Sequence, residues 1–137
     1  MQLSGVQMRE TPVKQVIIIR KDLHMKRGTE IAQGAHASIA FLCNRLRWND
    51  KWGFPAHFSA SECDWIKGNF RKICVVVNSE EELLSLVHDA REAGLVAELI
   101  EDAELTEFGG VPTYTAAAIG PDTDERIDPV TGHLVLY

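Results

Sequence analysis

Residues 20–42 read R-K-D-L-H-M-K-R-G-T-E-I-A-Q-G-A-H-A-S-I-A-F-L, a strand end, a charged turn and the start of a small-residued helix in one continuous run. Just upstream, Val16-Ile17-Ile18-Ile19 is a β-branched apolar run of strand length, the pattern of a strand buried on both faces. The chain turns polar at Arg20-Lys21-Asp22 and reaches Gly28, a breaker before a helix. From there Ile31, Ala35, Ile39, Leu42 and Leu46 recur at helical spacing and predict one apolar stripe. Gln33, His36, Ala37, Ala40 and Asn44 lie off that stripe. Gly34, Ala35 and Ala37 carry almost no side chain, so another element can approach this helix closely. A strand, a polar turn and a helix start, in that order, is where open α/β sheets put ligands.

The rest of the chain extends the same pattern. The spacing predicts strands at Lys14–Arg20, Arg71–Val77, Val96–Glu101 and Thr113–Ile119, the last stopped by Gly120-Pro121. Residues 29–47 read as the first helix, and a short helical turn is expected around Glu62–Lys67. Ser79-Glu80-Glu81-Glu82 is a helix start, with Ser79 as cap, and Gly94 closes that helix. The tail reads as one helical turn and a final extended piece. The loop between the third and fourth strands is too short for a helical crossover, so the sheet is mixed. The expectation is a single α/β domain, a four-stranded mixed sheet with helices on both faces. Residues 1–12 read as a flexible leader before a domain at 13–137, and residues 49–62 as an irregular insertion lying against the body.

Composition narrows the function. The 137 residues carry a net charge of −6, against the many phosphate contacts of a broad grip on nucleic acid. Positive charge is concentrated locally, at Lys14, Arg20, Lys21, Lys26 and Arg27. No apolar run reaches membrane-spanning length, and the first residues carry no apolar segment like that of a signal peptide, so a cytoplasmic protein is expected. Cys43, Cys63 and Cys74 have no paired spacing, which argues against a disulfide framework or zinc site; Cys43 and Cys74 read as buried thiols. The five histidines show no metal-ligand pattern, and no metal site is expected.

For chemistry, Asp102 is the best placed carboxylate, at the polar end of an apolar strand, and reads as a base, an orienting acceptor or a turn former. Asp22, beside Arg20 and Lys21, reads first as a local ion pair. His36 reads as a general base, a substrate donor or a boundary residue, and Thr106 and Thr115 as hydrogen-bonding groups. These residues alone reach as far as a cytoplasmic α/β domain with a polar cleft.

Arg20-x-Asp22-Leu23-x-Met25-x-x-Gly28 followed by Ala32-Gln33-x-Ala35-His36-Ala37 resembles the opening signature of the archaeal and eukaryotic type of peptidyl-tRNA hydrolase. Asn78-Ser79-Glu80-Glu81-Glu82-Leu83, Glu92-Ala93-Gly94-Leu95, Asp102-Ala103-x-x-Thr106, Ala118-Ile119-Gly120-Pro121 and the closing Ile127-Asp128-x-Val130-Thr131-Gly132-His133-Leu134 resemble its later landmarks in the same order. The resemblance implies hydrolysis of the ester joining a peptide to the terminal ribose of tRNA, with no metal or cofactor. By position it implies Asp102 orienting or activating water beside Thr106 and Thr115. It places Gln33 and His36 along the cleft, and Arg20, Asp22, Lys26, Arg27 and Thr29 on the side of the tRNA 3′ end. A homodimer is expected, the apolar ending Leu134-Val135-Leu136-Tyr137 serving its interface. The family carries a lysine in M-G-K-G-K where this chain has Thr29. Two alternatives accompany the hydrolase reading: a binding module with weakened catalysis, and a hydrolase of another small ester.

Overall fold

The computed structural model describes residues 11–50, 57–103 and 109–137. Strands β1 (Val13–Arg20), β2 (Lys72–Val77), β3 (Ala97–Asp102), β4 (Thr113–Thr123) and β5 (Val135–Leu136) alternate with helices α1 (Arg27–Asp50), α2 (Ala60–Lys67), α3 (Glu80–Glu92) and α4 (Asp124–Thr131). A 3-10 turn, Lys21–Leu23, joins β1 to α1. The sheet has five strands in the order β3-β4-β1-β2-β5, one more than the four expected. The addition is the extended tail, whose Val135 and Leu136 pair antiparallel with Val76 and Val75. Among the described residues only β1 and β2 run parallel, joined by the long α1–α2 crossover that a parallel pair requires.

β1 sits at the centre because its β-branched run is apolar on both faces. Val16 and Ile18 point to one side, where α3 and α4 cover them with Leu83, Leu86, Val87, Ala90 and Ile127. Ile17 and Ile19 point to the other, against Ala116, Ala118 and Ala37 of α1. That second core is built from alanines, so α1 lies close to the sheet. Helices cover both faces, as expected. Each of three helices starts on a capping hydroxyl: Ser59 accepts from the Glu62 N–H, Ser79 from the Glu82 N–H and Thr123 from the Arg126 N–H.

Three further sequence expectations are overturned. The fourth strand does not stop at Gly120-Pro121 but runs on to Thr123. Gly120 takes φ +93°, and a Cβ there would meet Ile127 Cδ1 at 2.8 Å and the Lys14 carbonyl at 2.9 Å, so only glycine carries the strand through. Cys74, read as buried, is exposed, and Cys43 is half-buried.

The third concerns α1. Its apolar stripe faces outward: Ile31 is 67% exposed, Ile39 51% and Leu46 52%. The face on the sheet is Gln33, Gly34, Ala37, Ser38 and Phe41. Two of those residues are polar, and each is satisfied inside. Ser38 Oγ donates to Gln15 Oε1, while Gln15 Nε2 donates to the Ser38 carbonyl at 3.0 Å. A pattern argument assigns polar positions to solvent; here buried partners reverse the assignment. Phe41 anchors the far end, edge-on to Trp65 of α2 at 5.9 Å.

Candidate active site

The site forms where the start of α1 passes the end of β3. Strand β3 places Glu98, Ile100 and Asp102 on the α1 side by simple alternation. On α1, Thr29, Gln33, His36, Ala40 and Asn44 follow helical spacing along the flank that meets them. Two contacts fix this apposition: Gln33 Nε2 donates to Asp102 Oδ2 at 3.1 Å, and Asn44 Nδ2 to Glu98 Oε1 at 3.2 Å.

Thr115 enters through a β-bulge. Ile100 faces Ala116, but Glu101 faces Tyr114, so β4 carries one extra residue at Thr115. Without the bulge, alternation would send Thr115 to the α3 side. With it, Tyr114 packs into the α3-side core and Thr115 turns to α1. There its hydroxyl, fully buried, donates to Gln33 Oε1 at 2.7 Å. The result is one directed chain from Thr115 through the Gln33 amide to the Asp102 carboxylate. Gln33 is itself 6% exposed, so the amide is held from inside while Asp102 is half-buried at the rim.

The turn beneath the site is fastened by Arg20. Its guanidinium donates to both oxygens of Asp22, at 3.1 and 2.6 Å, and to the Tyr114 carbonyl at 3.1 Å. Glu80, at the start of α3, lies 3.6 Å from it. The hydrogen bond from Arg20 holds the Asp22 carboxyl below its ordinary range. Here the ion-pair reading of Asp22 stands. Arg20 is 8% exposed, and its guanidinium holds β4 at the residue before Thr115. Lys26 and Arg27 are exposed at the start of α1, and Arg27 borders a hollow with Ile31 and Tyr137 on the opposite flank. Thr29 is half-buried one turn before Gln33, and His36 is exposed at the rim. Thr106 falls outside the described residues. The structure therefore brings Asp102, Gln33 and Thr115 into contact. Sequence reasoning missed the Arg20 bond to β4 and the Asn44–Glu98 contact; neither leaves a local spacing signal. Among the described residues no group of three metal-ligating side chains gathers, and no helix is long and apolar enough to cross a membrane.

Comparison with known proteins supplies the family. The family described as peptidyl-tRNA hydrolase PTH2 matches residues 13–137. A peptidyl-tRNA hydrolase of Methanocaldococcus jannaschii is 40% identical over 124 residues, covering 90% of this chain and 99% of that protein. One from Nanoarchaeum equitans is 40% identical over 125 residues, 91% of this chain and 99% of its own. One from Haloquadratum walsbyi is 38% identical over 125 residues, 91% of this chain and all of its own.

Proposed function

The chain belongs to the peptidyl-tRNA hydrolase PTH2 family, and we propose that it splits peptidyl-tRNA between the start of α1 and the end of β3. It hydrolyses the ester that joins the peptide to the tRNA, releasing both. The observation that carries the assignment of roles is the chain of hydrogen bonds from Thr115 through Gln33 to Asp102. Asp102 takes the proton of the attacking water, the water oxygen adds to the ester carbonyl, and the tetrahedral intermediate expels the ribose oxygen, which leaves protonated. Gln33 aims the carboxylate, and Thr115 aims Gln33. For Thr106, outside the described residues, the resemblance alone implies a hydrogen-bonding role, and His36 lines the rim with Thr29. Lys26 and Arg27, exposed where α1 begins, meet the phosphates of the tRNA 3′ end with the helix dipole behind them. Arg20 and Asp22 act from beneath, keeping turn and strand in place.

The protein works in the cytoplasm, where peptidyl-tRNA is made, as a homodimer. The outward stripe of α1 supports the pairing. It continues through Ile66 and Phe70 around an apolar groove of about 510 Å³ and, past Cys74, to Val135 and Tyr137. A contiguous apolar patch favours an interface over solvent, and this supports the pairing.

The test is release of peptide from a defined peptidyl-tRNA. Turnover by the parent and a loss of about 10²–10⁴ in kcat for Asp102→Asn are expected. An Asp102→Asn variant as fast as the parent would remove Asp102 from the chemistry.

A further inference from the structure

β3 is an edge strand. Among the described residues it pairs with β4 alone, and no strand lies on its other side. Its pairing fixes which backbone groups face outward. Glu98 and Ile100 face Ala118 and Ala116 of β4, and the Val96 carbonyl accepts from Gly120 N–H at 2.8 Å. Strand alternation therefore turns the N–H and C=O groups of Ala97, Leu99 and Glu101 to the open edge. The Ala97 carbonyl is already used, accepting from Arg91 Nε at 3.2 Å and Nη2 at 2.8 Å. That leaves Leu99 and Glu101, and the strand ends one residue later at Asp102.

We propose that the open edge of β3 binds the peptide portion of the substrate as an added strand, through the Leu99 carbonyl and the Glu101 N–H. This rests on the hydrolase reading of the same cleft. The peptide's C-terminal carbonyl must sit at Asp102 to be attacked, and the open edge runs back from there, so the added strand runs parallel to β3. In parallel pairing a single residue of one strand bonds the two flanking residues of the other. One substrate residue, opposite Ile100, therefore donates to the Leu99 carbonyl and accepts from the Glu101 N–H. Arg91 closes the edge at Ala97, which limits the grip to the few residues nearest the ester. Main-chain bonding of this kind is blind to side chains, which suits an enzyme that must accept peptides of any sequence.

The experiment uses the parent protein and a set of synthetic substrates: an N-acetylaminoacyl-tRNA, a tetrapeptidyl-tRNA, and the tetrapeptidyl-tRNA with one N-methyl amide moved residue by residue. The tetrapeptide is expected to raise kcat/KM about tenfold over the N-acetylaminoacyl ester. N-methylation at one residue removes that gain, and methylation at either neighbour leaves it within about twofold, because only alternate amides face the edge. Turnover of the N-acetylaminoacyl ester with no gain from length, or equal losses at adjacent amides, overturns the added strand and leaves the hydrolase reading standing. Silence on every substrate overturns both.

Discussion

The Thr115 hydroxyl donates to Gln33 Oε1 at 2.7 Å, and by doing so it decides which end of the Gln33 amide meets Asp102. A carboxylate is met by an N–H, and the amide has its N–H groups at one end only. With its oxygen held by Thr115, Gln33 presents Nε2 to Asp102 Oδ2. In the proposed reaction Thr115, fully buried, acts through another residue, as a positioning group.

Replacing that hydroxyl tests the relay. Thr115→Val keeps shape but leaves Gln33 Oε1 without its donor in a buried place, at a cost of about 1–3 kcal/mol. We expect kcat/KM for peptide release to fall about tenfold and the thermal midpoint to drop, with Thr115→Ser restoring most of both. A Thr115→Val protein with parental kcat would show that the amide needs no holding.

Thr29 precedes Gln33 by one helical turn on the same flank, at the position where the resemblance implies a lysine. An ammonium there brings a positive charge to the oxyanion that forms on the ester carbonyl, which threonine cannot do. Thr29→Lys is therefore expected to raise kcat several-fold with little change in KM. A kcat that stays level or falls would place residue 29 away from the reacting carbonyl.

Glu62 is buried in the first turn of α2, bound by both terminal nitrogens of Arg45 at 2.7 and 2.8 Å and by the Ser59 N–H at 2.8 Å. Burial alone would raise its pKa, but the Arg45 and Ser59 bonds outweigh it and hold the carboxyl below its ordinary range. Because the folded pKa lies below the unfolded one, this stabilisation is present above about pH 4.3 and is lost as pH falls through the folded value. Thermal melts should show Glu62→Gln costing about 2 kcal/mol at pH 7, with the difference from the parent closing on acidification. A constant gap across pH would mean that the ion pair contributes nothing.

Pairing of two copies is checked on α1. Ile31 and Ile39 are exposed in the single chain, so aspartate at both positions should not lower the stability of the fold. Sedimentation is expected to give a dimer for the parent at micromolar concentration and a monomer for Ile31→Asp/Ile39→Asp. A parent that sediments as a monomer would remove the dimer.

The features legible in the chain before folding are local and periodic. The β-branched run at Val16–Ile19, the capping serine at Ser79 and the breaker at Gly94 fix strand and helix through steric and hydrogen-bonding preferences that act within a few residues. The ordered motifs from Arg20 to Leu134 carried the resemblance, and with it Asp102 and Gln33 as site residues. The direction in which α1 faces is set by long-range packing. Its apolar stripe and its polar buried face are both legible at helical spacing, but their orientation depends on Gln15, Thr115 and Asp102, distant partners that satisfy Ser38 and Gln33 inside. The same holds for Thr115. Strand alternation sends it away from α1, and a bulge set by pairing with β3 brings it back, because register is a property of two strands together and is written in neither alone.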